Sequence, residues 1–197
     1  MALLGAGCGG ARWWRGRCHL LVAAALWAMT SITSLAAGST TSAEYQVKAV
    51  YLFNFAQFVE WPEQAFPNRQ APLVIGVLGS DPFGSYLDEL VRGEKIGDRA
   101  MVVRRCRTIE DAAKCQILFV ERGVGADEEL ALARLLGQPV LTVGETELFN
   151  RRGGIVRFVR ENGKIRVRIN TEAAQASRLI ISSKLLSLAT LVTTERD

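Results

Sequence analysis

Four short apolar runs, separated by helix-forming sequence, constrain this chain more than any other feature. Pro72–Leu78, Met101–Val103, Gln116–Val120 and Pro139–Val143 are continuously apolar or nearly so, rather than alternating with polar residues. Strands that read this way are covered on both faces, as in parallel sheets. The intervening segments carry helix signals. Asp81 and Pro82 offer an N-cap and a first helical residue before Tyr86–Val91. Thr108, with Asp111 three residues on, offers a capping box for a short helix ending near Cys115. Asp127–Leu136 reads as a third connecting helix. The alternation predicts an α/β fold in a single domain, with a largely parallel central sheet flanked by helices.

Both ends depart from that rhythm. Glu44–Trp61 reads as a helix that Pro62 must stop, with Val47, Val50, Tyr51, Phe55, Phe58 and Val59 recurring at spacings of three and four. Leu52, Phe53 and Ala56 widen the stripe and leave Lys48, Asn54 and Gln57 as its polar face. A helix apolar on most sides is buried on most sides, or it meets a partner. Near the other end, Ile155–Arg160 and Lys164–Ile169 flank Asn162-Gly163, a strong sign of a β-hairpin. Alternation places Ile165, Val167 and Ile169 on one face, and Lys164, Arg166 and Arg168 on the other. A long C-terminal helix is expected from Glu172 to about Val192, capped by Asn170 or Thr171 and carrying Leu179, Leu185, Leu188 and Leu191.

The first 37 residues read as a secretory signal. Arg12, Arg15 and Arg17 precede the apolar stretch Leu20–Met29, and Ser34-Leu-Ala-Ala37 supplies a small-residue exit with cleavage near Ala37. About ten apolar residues fall short of the roughly 20 that span a bilayer. Residues 38–43 then form a flexible leader, and 44–197 the folded domain. The net charge of +4 owes much to the signal: of 24 basic residues three lie there, leaving 21 against 20 acidic ones. Bulk charge therefore selects no class of partner, nucleic acid included.

Removing the signal also removes Cys8, Cys18 and His19, the only histidine. Triads built on His are excluded, and zinc sites of the usual Cys/His kind lose their ligands. Cys106 and Cys115 remain, spaced too widely for a C-x-x-C motif. An exported chain favours a structural disulfide between them, worth about 2.7 kcal/mol in the chain-entropy model. Arg104, Arg105, Arg107 and Lys114 surround the pair and keep a redox switch as the alternative. Gly76, Gly79 and Gly84 match neither phosphate-loop pattern, and no serine sits in a G-x-S-x-G elbow. Adjacent acids such as Asp88-Glu89 point about 100° apart on a helix and do not converge. No catalytic constellation, cofactor or metal site is expected. A binding protein is favoured, with a small-ligand sensor as the alternative. The strand ends Gly79–Asp81, Arg104–Cys106, Glu121–Gly123 and Gly144–Thr146 are where such a ligand would sit.

The opening Tyr45-Gln-Val-Lys-Ala-Val-Tyr-Leu-Phe-Asn-Phe-Ala-Gln-Phe-Val-Glu-Trp-Pro62 resembles the YfiR-like family of bacterial periplasmic proteins. The resemblance continues through Ile75–Gly84, Cys115–Val120, Val140–Val143, Gly153–Ile155, Arg166–Asn170 and Ile181–Ala189. It implies a periplasmic repressor that binds the periplasmic part of an inner-membrane diguanylate cyclase, and that an OmpA-like outer-membrane lipoprotein can sequester. A second copy of the chain is a further candidate partner. Disulfides affect stability and signalling in such proteins. This chain keeps one pair, Cys106 and Cys115, and lacks the second pair of some relatives. On this reading Tyr51, Phe58 and Trp61 of the first helix, with Leu185 and Leu188 near the C-terminus, are the expected partner-binding residues, because aromatic and exposed apolar side chains dominate interfaces.

Overall fold

The structure, a computed structural model, describes residues 36–194, with side chains from Ala43 onward. Most of the expected signal, with Cys8, Cys18 and His19, lies outside the described residues. Helix α1 runs Ala36–Phe58. The helix stops earlier than expected. Val59–Glu60 leaves it as strand β1, and Pro62 opens a turn of 3₁₀ helix at Glu63–Ala65.

Strand β2 (Leu73–Leu78) is buried at every residue, as its continuous apolar sequence requires. Helix α2 (Ser85–Val91) follows, then a tight hairpin of β3 (Lys95–Ile96) and β4 (Arg99–Cys106). The expected Met101–Val103 strand is thus longer, and its preceding turn includes a short partner strand. Asp81 does not cap α2, which starts at Ser85 behind Gly84. Asp81 Oδ1 instead accepts the backbone N–H of Phe83 at 2.8 Å and of Gly84 at 3.3 Å, shaping the turn before the helix. Helix α3 (Ile109–Ala112) carries the expected cap, Thr108 Oγ1 accepting the N–H of Asp111 at 3.2 Å. Strand β5 (Ile117–Val120), helix α4 (Ala126–Leu135) and strand β6 (Leu141–Gly144) complete the alternating part.

Strands β7 (Val156–Glu161) and β8 (Lys164–Asn170) form the hairpin at the expected place, with Val156 opposite Ile169 and Glu161 opposite Lys164. Asn162 (φ 51°) and Gly163 (φ 74°) both take the left-handed backbone that the tight turn needs. Val167 and Ile169 are buried, whereas Lys164 and Arg166 are exposed, as alternation requires.

The long C-terminal helix is not there. Helix α5 (Thr171–Ala176), capped by Asn170 Oδ1 on the N–H of Ala173, ends after six residues. Ser177 and Arg178 close it, and Arg178 adopts φ 56° with the N–H of Leu179 returning to the carbonyl of Ala174 at 3.0 Å. That is a left-handed C-cap made without glycine. Ile180–Ile181 then forms β9, antiparallel to β1 with Val59 opposite Ile181. Helix α6 (Ser183–Leu188) and strand β10 (Thr190–Val192) follow, β10 lying parallel to β8. β-Branched Ile180-Ile181 favours strand over helix, and the exposed ladder of β1 supplies its partner. Tertiary pairing overrides the helical spacing of the leucines.

The main sheet has the order β10-β8-β7-β6-β5-β2-β4-β3, and only the β3–β4 and β7–β8 hairpins are antiparallel. α1 covers one face through Leu52, Phe55 and Ala56, against Ile75, Phe119, Leu141 and Phe158. α4 covers the other through Ala131, Leu132 and Leu135, with Leu118, Val120, Phe149 and the two cysteines. Residues from Ser42 onward form one compact unit.

Candidate partner interface

The first helix is seated by polar contacts at its middle and just beyond its C-terminal end, as well as by its apolar stripe. Lys48, expected on the polar face, is only 3% exposed. Its ammonium lies 2.5 Å from Glu44 Oε1 and 2.5 Å from Glu145 Oε1, and over the ring of Tyr45 at 4.3 Å. Glu145 follows strand β6 and is itself buried. Arg122, 3.9 Å from Glu145, and Arg160, 3.5 Å from Glu44, extend the line of alternating charges outward. Tyr45 donates its hydroxyl to Glu145 Oε2 at 3.3 Å. Burial, then the nearby Glu145 carboxylate, pushes the Tyr45 phenol up to about 12. A buried ammonium is tolerated only with such partners.

Just beyond the C-terminal end of the helix Trp61 donates its indole N–H to the carbonyl of Gln116 at 3.0 Å. The Gln116 amide donates to the Ala65 carbonyl at 2.6 Å and accepts the N–H of Val74 at 2.9 Å. One buried glutamine thus fixes the Trp61–Ala65 turn to the starts of β2 and β5. Neither Lys48 and Glu145 nor Gln116 stands out by sequence spacing. The available signal was a lysine inside an otherwise apolar helix.

Besides these two sets of contacts α1 presents a mixed outer face. Tyr51 and Phe58 are half-buried, Tyr51 lying 5.7 Å from the ring of Phe158, while Val47 and Val50 are exposed. Trp61 is half-buried too. The two C-terminal leucines part company: Leu185 is turned into the core and Leu188 is 81% exposed, near exposed Leu191 in sequence.

A profile of the YfiR/HmsC-like family matches residues 45–190, from the first turns of this seated helix to the start of β10. The chain belongs to the YfiR/HmsC-like family. Among curated proteins none matches it. Members of the YfiR/HmsC-like family are regulators, which agrees with the cyclic-di-GMP theme expected from the sequence. No described helix is long and apolar enough to cross a membrane.

The cysteine pair, the strand-end glycines and Arg105 make close packing and turn contacts. Cys106 and Cys115 are buried thiols with their sulfurs 3.6 Å apart. Gly76 makes room for them, since a Cβ there would stand 2.6 Å from the Cys115 sulfur. The sulfur contact and burial push Cys115 up, while the same contact lowers Cys106. Gly79, at φ 98°, lies where a Cβ would strike Val124. Arg105 ties the loop after β2 to α2, bonding Asp81 at 2.9 Å and Asp88 at 2.5–2.6 Å. At the carboxyl ends of β2 and β4 lies a depression of about 440 Å³ lined by Gly79, Arg107, Glu110 and Asp127. Its charges are of both signs, so it selects no ligand charge.

Proposed function

We propose that this protein is an exported regulator that binds the periplasmic part of an inner-membrane diguanylate cyclase and holds it inactive. The match over residues 45–190 carries this reading. A binding partner shifts an equilibrium only by preferring one conformation of its target, so repression needs a docking face and no chemistry. The outer face of α1, with Tyr51 and Phe58, together with Trp61 in the turn that follows β1 and the exposed Leu188, are the contact residues. Leu185 supports them from the core. An OmpA-like outer-membrane lipoprotein and a second copy of the chain are further partners on this reading. In an oxidising periplasm the two thiols, 3.6 Å apart, close to a disulfide by thiol–disulfide exchange, two electrons and two protons passing to a disulfide oxidant that leaves as its dithiol.

Leu188→Glu tests the docking face. The variant should keep the melting temperature of the parent while cyclic-di-GMP rises in cells that express the cognate cyclase. A folded variant that still represses fully removes Leu188 from the mechanism. Alkylating the exported protein after unfolding it in denaturant, without reduction, should label neither Cys106 nor Cys115; two labelled thiols would end the disulfide reading.

A further inference from the structure

A second depression, of about 480 Å³, opens at the amino ends of β2 and β5. Its lining combines the apolar Ala65, Pro67 and Pro72 with two cations, Arg104 and Lys114. Its size lies within the range of small-molecule sites, which pair apolar walls with a few placed polar groups. Its charge is one-sided, unlike that of the depression at the carboxyl ends. Arg104 lies on β4 between Val102 and Cys106 in the alternation and is exposed, and among the described residues no carboxylate pairs with its guanidinium, whereas its neighbour Arg105 is taken up by Asp81 and Asp88. Among the described residues Lys114 pairs with Asp111 alone, at 3.3 Å, and both groups are well exposed. An exposed pair of this kind is worth little and yields to a better acceptor. The Gln116 amide at the floor is already committed to Ala65 and Val74.

We propose that this depression binds a small monocarboxylate with a branched or aromatic apolar body. The carboxylate meets Arg104 and Lys114 at the rim, where a planar guanidinium receives both oxygens at once. The apolar body lies along Ala65, Pro67 and Pro72. A phosphate group would use the same cations but would leave this wall unfilled. The site also reaches the turn that follows α1 and β1, because Gln116 lines it and its carbonyl accepts the Trp61 indole N–H. Occupancy is thereby transmitted to a docking residue, and the ligand becomes a signal for release. That last link rests on the function proposed above; the binding does not.

Calorimetric titration with phenylacetate and with its neutral counterpart phenylacetamide tests the site. Phenylacetate should bind saturably, and phenylacetamide about tenfold more weakly or worse, as expected for loss of a charge-assisted contact. Arg104→Gln and Lys114→Gln should each weaken phenylacetate by about tenfold while leaving the melting temperature unchanged. Lys114 is exposed enough that its variant folds in any case. No saturable binding up to about 10 mM, equal affinity for the two probes, or unchanged affinity in both variants overturns the proposal. If binding holds and the cyclase stays repressed at saturating phenylacetate, the site stands and the link to release falls.

Discussion

Lys48→Met is expected to destabilise the protein by about 3–5 kcal/mol, the range for stranding one partner of a buried ion pair. Methionine keeps most of the volume, so the loss reports the uncompensated Glu145 carboxylate rather than a cavity. Urea unfolding of the parent, Lys48→Met, Glu145→Leu and the double variant separates the terms. The double variant should recover at least half of the loss, because two apolar side chains leave no orphaned charge. A Lys48→Met cost below about 1 kcal/mol would show that the apolar stripe alone seats α1. The same cluster sets a pH limit. Tyr45 holds its proton to about 12 in the folded protein, against an ordinary value of 10. Its contribution is therefore complete below pH 10 and declines as pH rises from 10 toward 12. Tyr45→Phe should flatten that decline.

Phe149→Ala should cost a comparable amount, about 3–5 kcal/mol. The ring is fully buried and pressed between two glycines, Gly144 at the end of β6 and Gly154 before β7. A Cβ at either glycine would overlap ring carbons. Gly144→Ala should thus also destabilise strongly by itself, and much less in a chain that already carries Phe149→Ala. Equilibrium unfolding of the two single variants and the double variant measures the coupling. Additive effects would mean that the ring does not wedge the crossing from β6 to β7.

The sequence was most legible where one local rule sufficed. Continuous apolar runs marked β2, β5 and β6, and Asn162-Gly163 marked the hairpin, because strand burial and turn geometry are set within a few residues. The chain after Asn170 reads as one long helix because its leucines fit helical spacing, and the structure breaks it into α5, β9, α6 and β10. What ends α5 at Ala176 is a left-handed Arg178 and the pairing of Ile180-Ile181 with Val59-Glu60, more than a hundred residues away. The seat of α1 escaped for the same reason. Glu44, one turn away, is a partner that spacing allows, but nothing near Lys48 announces its second acid, Glu145, ninety-seven positions along the chain. The aromatic residues of α1 were legible as a group, but only exposure divides Val47 and Val50 from Leu52 and Phe55.

The pairing of β1 with β9 carries a consequence for assembly in time. A ribosome delivers α1 early and Ile180-Ile181 late, so the helix must wait for almost the whole domain before its closing strap arrives. During that interval Leu52, Phe55 and Val59 have no complete surface to settle on. Nascent or prematurely terminated chains of this design therefore expose their stickiest segment first and longest, which makes them natural clients for a holding chaperone and early substrates for quality-control proteases.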